Sequence, residues 1–358
     1  VSMLRALRAG QGIVAGRVII DCAGLQKTFM STGATAPFKL LVTRRIPEVA
    51  LKKLSETPGI VYDLFDKADV AIPPEEFRAR ARGVDGMLVM LTDKVNQEII
   101  QAAGPNLKIV STMSVGYNHI DVQALSRANI LLGYTPDCLT ETTADTTVAL
   151  MLVTARKIEQ ALQAVRNGTW GTWDPLWMCG KDVHSSTVGI VGCGRIGQAV
   201  ARRLKAFGCD VLYSGPNKKE EADKLGCRYV SEEELLRTSD YVVPMFPLND
   251  KTRGYFGRDK FRQMKETAIF INATRGEAVV QDDLVEALKD GTIAGAGLDV
   301  TMPEPLPVDH PLLFLPNCVV FPHIGSASVP TREKMACMAV DNIIQYVLNR
   351  KVLYQAKL

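Results

Sequence analysis

The chain has 358 residues, 42 basic against 39 acidic side chains for a net charge of +3, and 47% hydrophobic residues against 23% charged. That length exceeds one ordinary core and suits two domains of about 150 residues each, and the composition excludes a disordered chain. The near-balanced charge gives no footing for nucleic acid, and no apolar run approaches the roughly 18–20 residues of a membrane span.

Residues 1–37 carry Arg5, Arg8, Arg17 and Lys27 against the single acid Asp21. This is the composition of a mitochondrial leader, or of a disordered tail. From Phe38 the pattern alternates. Strands are expected at Lys39–Thr43, Ile60–Leu64, Gly86–Leu91, Leu107–Thr112 and around Ile130–Leu132, with helices from Pro47 and near 74–82 and 95–103 between them. Such alternation predicts a parallel sheet covered by helices on both faces. Glu141–Lys157 reads as one long apolar helix with Thr140 as its N-cap. After a Gly- and Trp-rich loop, six more strands follow: Thr187–Val191, Asp210–Ser214, Asp240–Met245, Ala268–Asn272, Ala294–Val300 and Cys318–Phe321. A last helix, about Arg332–Asn349, has no sheet left to build and is expected to return to the first domain. The expected fold is thus two doubly wound α/β domains: residues 38–140 with 330–358 forming a flavodoxin-like domain, and 141–329 a Rossmann-type domain inserted in it. The chain ends in Ala356-Lys357-Leu358, a variant of a peroxisomal address. Eight scattered cysteines without a Cys-x-x-Cys pair read as reduced thiols, with no metal site. The expected location is cytoplasmic, with a peroxisomal fraction open through the tripeptide and a mitochondrial one through the leader.

Gly192-x-Gly194-x-x-Gly197 directly follows a predicted strand and opens the amphipathic segment Arg195–Phe207. In that context the three glycines serve different ends. Gly192 permits a tight turn, Gly194 lets backbone amides approach a pyrophosphate, and Gly197 allows close helix–strand packing. A nicotinamide dinucleotide is the expected cofactor. An acid ending the second strand would hydrogen-bond the adenine ribose. Here the sequence reads Ser214-Gly215-Pro216-Asn217-Lys218-Lys219, with Gly215 in the acid's place. That favours NADP over NAD, unless the two lysines simply begin a charged helix with Glu220 and Glu221.

Ligands of open α/β sheets bind outside the carboxyl ends of the strands. Arg275, Glu304 and His323 follow the fourth, fifth and sixth strands of the second set, which are neighbours in this fold. Their chemistry suits reduction of a ketone beside a carboxylate. His323 donates a proton near neutral pH, Glu304 orients the imidazole and stabilises its cation, and Arg275 offers a planar fork to the carboxylate and carbonyl. Asp299 is expected to position a neighbour rather than react. Across the cleft, the amides of Val115 and Gly116 are candidates for the substrate carboxylate. The remaining histidines, His119, His184 and His310, read as ordinary surface residues.

These stretches, with Val42–Pro47, Tyr134–Asp137, Pro175–Trp177, Gly297–Val300, Pro303–Pro307 and Pro322–Ser326, resemble the D-2-hydroxyacid dehydrogenase family, and within it the animal branch that reduces glyoxylate and hydroxypyruvate. The resemblance runs from about Phe38 to the C-terminus. It implies reduction of small 2-keto acids to 2-hydroxy acids, with Arg275, Glu304 and His323 as the catalytic set. It implies cofactor contacts at Gly194, Arg195, Ile196 and the Pro216–Lys219 turn, with Pro247, Ala273 and Gly325 added, and substrate contacts at Val115, Gly116, Arg275, Asp299 and His323. It also implies a homodimer built on the loop holding Trp170, Trp173 and Trp177, with Trp173 reaching the partner's pocket. The competing reading is a dinucleotide-sensing, corepressor-like binding protein of the same fold. The Trp-rich loop and the lack of long polar tails favour the enzyme.

Overall fold

The computed structural model describes residues 36–357, so the Arg-rich segment and the terminal Leu358 lie outside the described residues. The first sheet contains β1 (Phe38–Val42), β2 (Ile60–Leu64), β3 (Gly86–Val89), β4 (Ile109–Thr112) and β5 (Leu131–Gly133). They lie in the order β2-β1-β3-β4-β5, all parallel. The second sheet contains β6 (Thr187–Val191), β7 (Asp210–Ser214), β8 (Arg228–Tyr229), β9 (Tyr241–Pro244), β10 (Ile269–Asn272), β11 (Gly295–Leu298) and β12 (Cys318–Val320). Its order is β12-β11-β10-β9-β6-β7-β8, again parallel. The two are doubly wound α/β sheets, the second of Rossmann type. It has seven strands, not the six expected. β8 is a two-residue, exposed edge strand whose Arg-Tyr pair carries no apolar run to mark it.

The central strands are apolar on both faces because helices cover both, as parallel sheets require. One core of the second sheet packs Val188, Ile190, Val211 and Val243 against Val200, Leu204 and Met151. The other gathers Phe256, Phe261 and Phe270 with Leu235 and Leu284. The apolar run over 141–157 forms one helix, Thr140–Ala155, and Lys157, in a left-handed conformation, separates it from a further helix, Ile158–Arg166, in a stretch expected as loop. Thr140 is the first helical residue, not the cap; Leu139 holds the cap position with no side-chain hydrogen bond.

The helix Val329–Asn349 begins at Ser328, whose hydroxyl accepts from the Thr331 amide, and packs on β3, β4 and the helix Glu48–Ser55 of the first sheet. Met335, Met338, Val340 and Ile343 are buried along it, each worth roughly 1.5–3 kcal/mol over an exposed state. Asn342, wholly buried, satisfies its amide in place. Its Nδ2 donates to Tyr134 O (3.1 Å) and Ser111 Oγ (3.3 Å), and its Oδ1 accepts from the Tyr354 amide (2.9 Å). The tail is fastened further, with the Ala356 amide donating to Leu132 O at 2.8 Å and its methyl in the first core. Among the described residues no helix is long and apolar enough to cross a membrane, no group of His, Cys, Asp or Glu could hold a metal ion, and seven cysteines are free.

Candidate active site

The glycine loop sits where the order of the second sheet reverses, between β6 and β9, the crevice in which such sheets hold ligands. Gly192 has φ +87°, a conformation open to glycine at little cost, and a Cβ there would also press within 2.9 Å of Phe246. A Cβ on Gly197 would lie 2.9 Å from Gly192 O, so the helix Arg195–Ala206 sits against the strand it follows. Gly194 is exposed at that helix N-terminus, and a Cβ there would meet no atom within 4 Å. The helix starts without a side-chain cap, which leaves N–H groups and the positive dipole end for an anionic phosphate. These features fit a dinucleotide. Ile196 is half-buried beside the loop, while Arg195 turns away to pair with Asp137 of the first domain.

The carboxyl ends of β7, β9 and β10 place Ser214, Pro247 and Ala273 around the same crevice. Ser214 Oγ is buried without a hydrogen-bond partner among the described residues. A Cβ at Gly215 would touch only Gly192 Cα, at 3.9 Å. Pro216 and Asn217 are exposed. Lys218 pairs with Asp223 at 3.3 Å, and the Lys219 amide donates to Tyr213 Oη at 2.9 Å. The helix Glu220–Lys224 does follow the lysines, so part of their charge is spent locally.

His323 and Glu304 meet at 2.7 Å between Nδ1 and Oε2. Burial opposes ionisation of Glu304. The hydrogen bond and charge of His323, the Thr301 amide at 3.1 Å and the charge of Arg275 outweigh it, so its pKa lies below the usual value. Asp299 is 1% exposed. Its two oxygens accept from the amides of Ile324 and Gly325, both at 2.8 Å, and its carbonyl accepts from the His323 amide at 2.9 Å. These bonds tie the end of β11 to the turn that carries His323, the positioning role expected of Asp299, which also lines the cavity beside His323. Because those amides are taken, His323 holds a left-handed backbone, φ +54°.

Arg275 reaches across to the first domain. Its Nε donates to Asn118 Oδ1 (3.2 Å) and its Nη1 to Thr274 O (2.7 Å), while Nη2 lies where a Cβ on Gly116 would be. Only glycine leaves that space. The Val115 and Gly116 amides donate to no acceptor among the described residues, so both remain available beside the guanidinium. Burial lowers the Arg275 pKa against the pull of Glu304 and Glu277. His119 is no surface residue. It is largely buried, bonded to Thr112 Oγ1 at 3.1 Å, and burial and then Arg275 push its pKa down to about 4, which keeps it neutral.

A cavity of about 790 Å³ opens beside His323 and Glu304 and runs between the domains. Arg44, Met90, Thr92 and Arg332 line it, and the sequence gives no sign of them. They lie far apart along the chain, and although Arg44 falls within Val42–Pro47, no spacing in the sequence brings the four together. Trp173 is not among its lining residues; it is 81% exposed on the loop after Ile158–Arg166.

Residues 148–325 match the family model "D-isomer specific 2-hydroxyacid dehydrogenase, NAD binding domain". The chain is 48% identical over 308 residues, 86% of its length and 94% of the relative's, to a glyoxylate reductase/hydroxypyruvate reductase from Homo sapiens, and 44% identical with the same coverage to the one from Mus musculus. Among solved structures it is similar to an NADPH-dependent glyoxylate/hydroxypyruvate reductase from Sinorhizobium meliloti in complex with NADP and malonate. That match has a TM-score of 0.77 and 34% identity, covering 90% of this chain and 97% of that one. A Thermus thermophilus protein superimposes with a TM-score of 0.83 at 40% identity, covering 89% and 100%. These relatives support an enzyme and give no support to the corepressor-like reading. The chain is a nicotinamide-dinucleotide-dependent dehydrogenase and belongs to the D-isomer-specific 2-hydroxyacid dehydrogenase family.

Proposed function

We propose that the chain reduces glyoxylate and hydroxypyruvate to glycolate and D-glycerate, with NADPH as the preferred hydride donor. The observation that carries this is the His323–Glu304 pair at 2.7 Å, with the Arg275 guanidinium lying against Gly116 and bonded to Asn118 of the first domain. With Nδ1 held by Glu304, His323 has Nε2 left to give a proton. The reduced nicotinamide supplies a hydride to the keto carbon. His323 protonates the carbonyl oxygen, Glu304 stabilises the imidazolium before transfer, and solvent reloads the ring afterwards. Arg275 and the Val115 and Gly116 amides fix the substrate carboxylate. Replacing His323 by Ala should lower kcat by about 10²–10⁴-fold, the usual contribution of a general acid, with NADPH affinity kept within a few-fold. Arg275→Lys should raise KM and lower kcat together, because an ammonium cannot reproduce the fork. Turnover by His323→Ala near the wild-type rate would remove it from this role.

The preference for NADPH is supported by the buried, unpartnered Ser214 Oγ, by the missing acid at Gly215 and by Asn217, Lys218 and Lys219 beside it. Lys218 already faces Asp223, so one new charge-assisted hydrogen bond is the safer count, worth roughly 1.5–3 kcal/mol, or about tenfold or more in binding. A Cβ at Gly215 would meet nothing closer than Gly192 Cα at 3.9 Å, so a side chain can start there. Wild type should favour NADPH in kcat/KM by about tenfold or more, and Gly215→Asp should shift the ratio toward NADH. Equal use of NADH by wild type would recast the lysines as ordinary surface charge.

The assembly we propose is a homodimer. Trp173, and Leu176 at 84% exposure, stand out with Trp170, Leu162 and Val165 on Ile158–Arg166 and its following loop. Burying such a patch against a second copy removes it from water, and Trp173 would then reach the partner's pocket. Sedimentation at micromolar concentration should give a dimeric mass, and Leu162→Glu with Val165→Glu a monomeric one. A monomeric wild type would end this reading.

For location we propose the cytoplasm. The peroxisomal address is weakened by the docking of Ala356 on β5, since a receptor would have to peel the tail from its core. Removing residues 356–358 should leave a fluorescent fusion's distribution unchanged, and loss of a punctate fraction on that deletion would restore the address.

A further inference from the structure

Both residues of the edge strand β8 are exposed, so core burial does not account for it. What it does place is a hydroxyl. Its register on β7 is Leu212↔Arg228 and Tyr213↔Tyr229, which sets the two tyrosines side by side on one face of the sheet, with ring centroids 5.2 Å apart. Their hydroxyls hold the two ends of the turn Gly215–Lys219. Tyr229 Oη donates to Gly215 O at 2.8 Å, and Tyr213 Oη accepts from the Lys219 amide at 2.9 Å. Tyr213 Oη in turn donates to Asp223 Oδ1 at 2.8 Å, and the other oxygen of that carboxylate pairs with Lys218. The strand end leading into the turn is tied to the glycine loop, because the Gly192 amide donates to Ser214 O at 2.8 Å.

The Gly215 carbonyl is the part of this turn that most needs holding. Gly215 has no side chain to restrict its backbone, and the following Pro216 has no N–H. Their shared peptide therefore presents an acceptor and no donor, and a carbonyl oxygen turned toward an anion repels it. The Tyr229 hydroxyl draws that oxygen toward β8. This end of the crevice is then left with the unpartnered Ser214 Oγ and the exposed Asn217 and Lys218 for an incoming anion.

We propose that Tyr229 is a positioning residue for cofactor specificity. Acting through the Gly215 carbonyl, it holds the Gly215–Lys219 turn in the shape that accepts the 2′-phosphate of NADPH, while Tyr213 fixes the far end. The proposal rests on the NADPH preference set out above and names a residue on a separate strand that sets it.

The experiment measures kcat and KM for NADPH and for NADH at saturating glyoxylate. It adds competitive inhibition by adenosine 2′,5′-bisphosphate and by 5′-AMP, which differ only in the 2′-phosphate, as a binding readout. Tyr229→Phe keeps the ring and deletes the hydroxyl. It should lower the NADPH-to-NADH ratio of kcat/KM by about two- to tenfold, the reach of one neutral hydrogen bond, through a higher KM for NADPH rather than a lower kcat. The bisphosphate should lose affinity by the same factor relative to 5′-AMP. Tyr213→Phe should move both ratios in the same direction, and thermal melting confirms that each variant is folded. Arg228→Gln removes the ion pairs that the same edge strand makes with Asp210 and Glu234 and should leave both ratios at the wild-type value. Three results would each overturn the proposal while the NADPH preference stands: ratios unmoved by Tyr229→Phe, a loss shared equally by the two cofactors, or an equal fall in Arg228→Gln. The last would make the stability of the strand, not the hydroxyl, the cause. Equal use of NADH and NADPH by wild type would instead overturn the cofactor reading on which the proposal rests.

Discussion

The buried carboxylate of Asp299 fixes the site more than any group that touches substrate. It stands at the end of β11, and its two oxygens collect the amides of Ile324 and Gly325 beyond β12. Each is a hydrogen bond to a charged group, worth roughly 1.5–3 kcal/mol. Together they offset the cost of an ion that is otherwise out of water, and burial still leaves its pKa raised. In return the turn cannot relax. His323 is held at positive φ with its ring against Glu304, a strain of the kind tolerated where surrounding bonds over-determine the backbone. Neutralising Asp299 would free the loop before it altered any contact made by the imidazole itself.

The second constraint joins the domains. Arg275 belongs to the Rossmann-type sheet, yet Asn118 and the space left by Gly116 belong to the other. Arg195 with Asp137 spans the same junction. That pair is largely exposed and contributes little to stability. The neutral His119 below Arg275 is part of the same arrangement, since a second cation there would repel the guanidinium.

Much of the fold was legible because its physics is local. Alternating apolar strands marked β2, β6 and β7 to the residue, and a strand, a glycine loop and an amphipathic helix in sequence marked the dinucleotide crevice. Arg275, Glu304 and His323 were visible for a topological reason: each follows one of three adjacent parallel strands, so succession in the chain becomes proximity in space. The edge strand β8 was missed because two exposed residues carry no periodic signal, and the helix Ile158–Arg166 was taken into the loop that follows Lys157.

The sequence by itself determined the strands, the glycine loop and the identity of the chemical groups, because each depends on residues within a turn or two of one another. The tertiary structure alone decided what those groups touch. It tied Asp299 to the His323 loop, buried most of His119, set the Arg275 guanidinium where a Gly116 side chain would be, and gathered Arg44, Thr92 and Arg332 around one cavity from segments up to 288 residues apart, the difference between 332 and 44. Such contacts are settled by how two separately folded sheets close on each other, and no spacing along the chain records that.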